Sequence, residues 1–173
     1  VTPVEGNRTA IVGGTYTLSE LTVTVDGETV AQSEIKKYIV VGEEPADYET
    51  ADEAEATFAV TDEHAEGFKV VYRYNGETLY EMEVAVTKYT VTFDGSTENL
   101  TATKGYDFVL PVPTVKNGET VVTEGVVQTL VSGEARIPVT GGGIEILDSY
   151  EATVTVEITI ENVVIASYTI KER

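Results

Sequence analysis

Carboxylates are the side chains of this sequence with the greatest capacity for chemistry. Ten Asp and Glu residues and no Lys or Arg lie between Glu43 and Glu66. Calcium prefers carboxylate and carbonyl oxygens, so acids that converge from neighbouring loops would form a calcium site. The candidate ligands are Glu43, Glu44, Asp47, Asp52, Glu53, Asp62 and Glu63. Because the run lacks EF-hand spacing, a solvated surface explains it more often, and calcium is the one cofactor that the sequence leaves open.

Two tyrosines near this acidic run are candidates for binding a sugar. Tyr48 lies within the run, and Tyr74 precedes the dipeptide Asn75-Gly76. An exposed aromatic ring stacks on the apolar face of a sugar, and neighbouring carboxylates accept hydrogen bonds from its hydroxyls. A tyrosine in an alternating strand is more often part of the packing, so both interpretations stay open.

His64 is the sole histidine and the natural candidate for acid–base catalysis. A nucleophilic triad would also need an activated nucleophile, but the sequence contains no Cys and no strand-turn-helix nucleophile elbow. A solvated loop histidine explains the residue better. We therefore expect no catalytic residues and no enzymatic activity.

The charge of the chain excludes several classes of partner. Its net charge is −19; the first 88 residues carry 18 acids and 6 bases, and the remainder carries 12 acids and 5 bases. Such a surface repels phosphate backbones and anionic lipid, so we expect neither nucleic acid binding nor membrane insertion. The sequence also has no apolar run long enough to span a bilayer.

An internal repeat organises the chain. Residues 23–30 match residues 114–121, and both segments end in Gly-Glu-Thr-Val. The match extends upstream, and downstream it aligns residues 59–61 with residues 138–140. One fold therefore occurs twice, and we predict domains at residues 1–88 and 89–173, joined without a Gly, Ser or Pro linker.

Strand signals dominate both halves. Asn75-Gly76 separates two alternating runs and favours a type I′ hairpin, and Asp26-Gly27 and Asn117-Gly118 repeat the pattern. Each half is predicted to end in a long hairpin, residues 70–86 and 153–170. Two stretches distinguish the halves: an Ala- and Glu-rich insertion at residues 46–56, predicted to form a short helix, and the three glycines at 141–143, predicted to form a turn. The expected fold is all-β, with two β-sandwiches.

The two halves resemble bacterial immunoglobulin-like (Big-type) domains of secreted or cell-surface proteins. The residues that carry this resemblance are the two Gly-Glu-Thr-Val turns, Gly67 to Gly76, and Tyr150 to Val156. The resemblance implies two tandem immunoglobulin-like β-sandwiches, the first with an acidic insertion. It further implies a non-enzymatic spacer or adhesive segment of a longer extracellular or cell-surface protein, with an unknown protein or glycan as partner.

Two further hypotheses stand beside this one. The first is an accessory carbohydrate-binding module pair of a secreted glycoside hydrolase, in which exposed tyrosines and acids contact sugar. The second is a Lys-to-Asn crosslink of the kind found in pilin-like domains, for which Lys104 and Asn162 are the least unsuitable pair. We do not expect that crosslink, because Asn162 falls in a predicted turn.

Overall fold

The computed structural model describes residues 6–173 and confirms an all-β protein. The chain divides into two compact units, Val1–Lys88 and Tyr89–Arg173. No helix in the described residues is long and apolar enough to cross a membrane. Each unit consists of several small open sheets around its own apolar core.

The described residues of unit 1 form eight strands. Its main sheet has the order β1-β8-β7-β5, and two smaller sheets pair β2 with β6 and β3 with β4. The strands are β1 (Thr9–Ile11), β2 (Thr15–Thr17), β3 (Thr24–Val25), β4 (Glu28–Thr29), β5 (Lys36–Val40), β6 (Thr57–Ala59), β7 (Phe68–Tyr74) and β8 (Glu77–Thr87). Single 3₁₀ turns, Gln32–Glu34 and Asp62–His64, are the only helical pieces among the described residues. The helix predicted over residues 46–56 is therefore wrong.

The core of unit 1 follows from the alternation of its long strands. On β7 the side chains of Phe68, Val70 and Tyr72 point inward and are buried. They pack against Tyr16 of β2 and against Met82 of β8. The hydroxyl of Tyr72 donates a hydrogen bond to the Ser19 carbonyl at 2.9 Å, and burial raises the pKa of this tyrosine to about 12. The core therefore lies between the main sheet and the smaller ones, as in a sandwich.

Unit 2 repeats this arrangement with ten strands. Its main sheet has the order β10-β18-β17-β14-β15, which extends the order of unit 1 by one strand. The strands are β9 (Tyr89–Asp94), β10 (Leu100–Ala102), β11 (Asp107–Val109), β12 (Val112–Asn117), β13 (Thr120–Val122), β14 (Val126–Ser132), β15 (Ala135–Pro138), β16 (Gly143–Glu145), β17 (Thr153–Ile160) and β18 (Val163–Glu172). On β17 the side chains of Val154, Val156, Ile158 and Ile160 are buried, as their alternation predicts.

The repeat holds in most places and fails in one. Both units end in a long hairpin, β7–β8 and β17–β18, and in both the first strand of the main sheet pairs in parallel with the last. The alignment of residues 59–61 with 138–140 is wrong, because β6 pairs with β2 whereas its counterpart in unit 2 is β16, paired with β11. Residue 138 instead ends β15, a strand without a counterpart in residues 6–88.

The turns of the repeat follow from backbone sterics. At Asn75-Gly76 both φ angles are positive (50° and 81°), as a type I′ hairpin requires. In unit 2 Asn117 still pairs with Thr120, so the two-residue loop is Gly118-Glu119 and begins one residue later than predicted. Gly118 has φ of 57° at the first loop position, where a Cβ is disfavoured.

Gly118→Ala should destabilise unit 2 by about 1 kcal/mol, because alanine at a positive φ is strained. The matched control is Gly142→Ala. A Cβ added to either glycine would meet no atom within 4 Å, and only Gly118 lies in the left-handed region. The control should therefore change the free energy of unfolding by less than about 0.5 kcal/mol, measured by urea denaturation. Equal losses in the two variants would contradict the assignment of the strain to the backbone.

Candidate functional site

The acidic insertion of unit 1 forms a strap, defined as residues 43–56, over the outer face of the main sheet. It contains bends and turns and no regular strand. Tyr38, Val40 and Val71 form a small buried cluster distinct from the main core, and Tyr48 and Ala51 of the strap pack against it. The strap therefore buries apolar side chains on the side of the sheet that a sandwich leaves to solvent.

Three side chains of the sheet hold the strap by charge. Lys69 on β7 contacts Glu44 of the strap at 2.9 Å and Glu81 of β8 at 3.4 Å. Lys36 at the start of β5 contacts Glu53 at 2.9 Å. The Cζ atom of Arg73 lies 4.4 Å from the centroid of the Tyr48 ring, a cation–π contact.

One backbone hydrogen bond attaches the strap to the edge of the sheet. The amide of Ala54 donates to the carbonyl of Lys37 at 2.7 Å. β5 is an edge strand, and unpaired edge groups invite association with other chains. In unit 2 the corresponding strand, β14, pairs instead with β15. The two units therefore cover the same sheet edge by different means.

The seven candidate calcium ligands do not converge. Glu44, Glu53 and Asp62 pair with three different lysines, the last with Lys88 at 3.0 Å. Asp47 accepts the backbone amide of Glu49 at 2.9 Å. In the part of the chain that the structure describes, no group of three or more His, Asp or Glu side chains is arranged to hold a metal ion. The predicted convergence is not formed, and the remaining candidates, Glu43, Asp52 and Glu63, join no such group.

Tyr48 and Tyr74, the candidate sugar-binding residues, line the same groove. This groove has a volume of about 420 Å³ and is also lined by Tyr38, Lys36, Arg73, Glu34, Glu49, Asn75 and Gly76. Two cations and two carboxylates line it, so it is balanced in charge within a strongly acidic unit. Its volume lies within the usual range for ligand sites, about 300–1,000 Å³.

The two tyrosines differ in what they offer a ligand. Tyr48 packs edge-on against Tyr38, with ring centroids 5.0 Å apart, and carries Arg73 over its ring. Its ring is therefore engaged within the protein. Tyr74 is half-buried against the core at the hairpin end. The hydroxyl of Tyr48 and the Nε of Arg73 are buried without a hydrogen-bond partner in the described chain.

Sequence reasoning found the strap and missed the cations that hold it. Lys69, Val71 and Arg73 alternate on β7 with the buried Phe68, Val70 and Tyr72. The sequence signal for these cations is that β7 has one apolar face and a second face on which Lys, Val and Arg alternate with it. Such a pattern indicates that the second face is both covered and positively charged. An acidic segment is complementary in charge to a face of this kind.

His64 caps a 3₁₀ turn and packs against two phenylalanine rings. Its Nδ1 accepts the backbone amide of Thr61 at 3.1 Å, which caps the 3₁₀ turn Asp62–His64. The ring lies 5.3 Å from Phe58 and 5.6 Å from Phe68, centroid to centroid. A hydrogen bond accepted at Nδ1 places the proton of the neutral ring on Nε2. The Thr61 hydroxyl also lies 3.1 Å from Nδ1, so the ring contacts both polar groups of the residue that begins its own turn.

Lys104 contacts the last residue of β18, whereas Asn162 directly precedes its first residue. The Lys104 ammonium contacts Glu172 at 3.4 Å and the Asp148 carbonyl at 3.3 Å. Asn162 occupies the turn before Val163, with φ of 65°. Ten strand residues between the two ends span roughly 33 Å. A Lys-to-Asn bond between them is therefore excluded by distance.

The charges of the strap make its attachment dependent on pH. The hydrogen bond from Lys69 lowers the pKa of Glu44 from its ordinary 4.5, and the same contact raises the pKa of Lys69 from 10.5. The lowered pKa of Glu44 adds stability above pH 4.5 that is lost as the pH falls through its value in the folded protein. The raised pKa of Lys69 adds stability below pH 10.5 that is lost as the pH rises further.

Lys69→Gln should loosen the strap without unfolding unit 1. We expect the amide of Ala54 to exchange with solvent several-fold faster near neutral pH, because the bond to Lys37 depends on the docked strap. Lys88→Gln is the matched control, since it breaks an exposed pair with Asp62 outside the strap. At a pH below the lowered pKa of Glu44 the wild type and Lys69→Gln should converge, because Glu44 is then protonated and its ion pair with Lys69 is lost. Equal protection of Ala54 in both variants at neutral pH would contradict the role given to Lys69.

No protein-family model matches the chain, and no curated protein matches it. Among solved structures the chain is similar to the three N-terminal domains of the highly immunogenic outer capsid protein (Hoc) of bacteriophage RB49. The identity is 19% and the TM-score 0.38, over 96% of this chain and 56% of that one. The chain thus spans about half the length of that structure, and a similarity of this size supports no inference about function.

Proposed function

We propose that this chain is a pair of tandem immunoglobulin-like β-sandwiches that acts as a non-enzymatic spacer or adhesive segment of an extracellular bacterial surface protein. The proposal is supported by one observation above all. In each unit the first strand of the main sheet runs parallel to the last one, β1 beside β8 and β10 beside β18.

Parallel pairing of the first and last strands suits a segment that carries tension. A force applied at the two ends of a unit pulls such strands along their length in opposite directions. Their hydrogen bonds are then loaded together, whereas bonds in a hairpin pulled open at its end break one after another. In unit 1 these bonds include Val12 N–H to the Thr87 carbonyl at 3.0 Å and Ala85 N–H to the Arg8 carbonyl at 2.9 Å.

Unit 2 has the same parallel pair within its main sheet, β10 beside β18, and β9 precedes it in the chain. Leu100, Thr101 and Ala102 pair in register with Ile170, Lys171 and Glu172, and the amide of Arg173 donates to the Ala102 carbonyl at 2.9 Å. The connection between units is short, since only Lys88 separates β8 from β9. The feature that both copies share is therefore the one that resists extension, which is what a spacer requires.

Single-molecule force spectroscopy tests this proposal. Because the sequence has no Cys, attachment points can be placed one pair at a time. Pulling unit 1 through its two ends should give an unfolding force well above that measured through Glu66→Cys and Ala85→Cys. Those two exposed positions flank the open end of the β7–β8 hairpin, so the second geometry unzips it. Equal forces in the two geometries would remove the support that strand pairing gives to a spacer.

A second candidate function is saccharide binding at the groove of unit 1. The supporting observation is that Tyr48 and Tyr74 line one groove together with two cations and two carboxylates. Neutral sugars are bound by such mixtures of aromatic surface, donors and acceptors. This candidate would make the segment adhesive, with the same scaffold.

Glycan-array binding separates the two candidates. If the groove binds sugar, Tyr74→Ala and Glu49→Gln should each weaken a saturable signal about tenfold or more, because each removes a groove contact. Tyr106→Ala is the control, since Tyr106 is a tyrosine of unit 2 that is 69% exposed and lies outside the groove. A wild-type protein without any saturable signal would leave the spacer as the function and remove the sugar site.

A further inference from the structure

The outward face of the main sheet of unit 2 is bare. Alternation on β14, β17 and β18 directs Val127, Thr155, Thr159 and Val164 away from the core. Val127 and Val164 both pair with Thr159 and are 46% and 41% exposed. Threonine and valine dominate the face, so it is β-branched and weakly polar.

This face differs from the rest of the chain in its charge. Glu157 is its one carboxylate, and Arg136 and Lys171 are its two cations, in a unit all of whose residues are described. Arg136 and Glu157 pair with each other. A face without net negative charge stands out on a chain with a net charge of −19. Two such chains repel one another over most of their surfaces and least at this one.

The equivalent face of unit 1 shows that this position in the fold is one that becomes covered. There the strap packs on Tyr38, Val40 and Val71 and is held through Lys69 and Arg73. Counting back from the hairpin turns, Thr155 and Thr159 replace Lys69 and Arg73 in unit 2, and Glu157 replaces Val71. The cations that hold an acidic segment are missing, so an acidic segment is not the occupant of this face.

We propose that the outward face of β10-β18-β17-β14-β15 binds the same face of a second copy of this chain, in a two-fold symmetric pair. Two copies of this face meet with little of the like-charge repulsion that opposes contact over the rest of two acidic chains. In a symmetric pair each contact occurs twice, so Arg136 of one copy can meet Glu157 of the other while retaining its own partner. This inference stands apart from the proposed spacer function, because a spacer resists tension as a monomer or as a pair.

The size of the face sets the strength of the pair. Five strands at ~4.8 Å and about six residues of ~3.4 Å give a face of roughly 500 Å² on each copy. Stable specific interfaces bury about 800 Å² on each partner, so this pair belongs to the weak class. We expect dissociation between the micromolar and millimolar range. Several copies held side by side on a surface would strengthen such a contact by their local concentration.

Sedimentation equilibrium of the whole chain, from micromolar to millimolar concentration, tests the pair. The wild type should shift from monomer to dimer, whereas Val127→Glu and Thr159→Glu should raise the dissociation constant at least about tenfold by placing like charges face to face. Val121→Glu is the matched control: this valine of unit 2 is 54% exposed, lies on β13 outside the face, and should leave the dimer unchanged. Melting curves establish that all three variants are folded.

Salt and a single cysteine distinguish this contact from other kinds of association. Added salt should tighten the dimer, because it screens the repulsion between two acidic chains; a dimer held mainly by ion pairs would loosen. Thr155→Cys, near the centre of the face, should form an intermolecular disulfide much faster than Val121→Cys. A monomer up to millimolar concentration, or a dimer equally weakened by Val121→Glu, would overturn the proposal.

Discussion

Each unit depends on the fact that a β-strand has two faces and that a sandwich core takes up only one of them. The inner faces of β7 and β17 are continuous runs of buried residues, including Val70, Tyr72, Val156 and Ile158. The outer faces of the same strands must then be polar, be covered from within the chain, or be covered by something else. In unit 1 the strap covers the outer face from within the chain. Unit 2 retains threonines and a few valines. Most of what differs between the copies follows from that choice.

The strap shows how charge and packing depend on each other. Tyr48 brings apolar area onto Val71 and Tyr38, while Glu44 and Glu53 meet Lys69 and Lys36 at its two ends. Exposed ion pairs stabilise little on their own. Here they fix the register of a segment without regular structure, whose single bond to the sheet edge is donated by Ala54. The acids that suggested calcium are therefore partly neutralised by lysines, and a divalent cation would have to compete with those ammonium groups.

The sequence predicts those elements whose structure is determined by residues close together in the chain. Alternation predicts β7, β8 and β17 correctly, and Asn75-Gly76 predicts its hairpin, because both signals lie within a few residues. The helix at residues 46–56 is wrong because the helix propensity of Ala and Glu is weak compared with docking onto Lys69 and Arg73, residues distant in sequence. The alignment of residue 59 with 138 fails for a related reason. β15 has no counterpart in the described part of unit 1. Only the pairing of β11 with β16 identifies β16 as the counterpart of β6.

The candidate sites likewise depend on contacts between residues that are distant in sequence. Tyr48 and Tyr74 line one groove because the strap crosses the sheet near the β7–β8 turn. The path of the strap cannot be predicted from the sequence. His64 looks equally available in sequence whether it is solvated or caps a turn, and only the contact with Thr61 decides. Features shared by both copies, above all the parallel pairing of the first and last strands of the main sheet, belong to the scaffold. The unshared ones, the strap of unit 1 and the bare face of unit 2, occupy the same face of the same sheet, so this face is where one fold acquires two different surfaces.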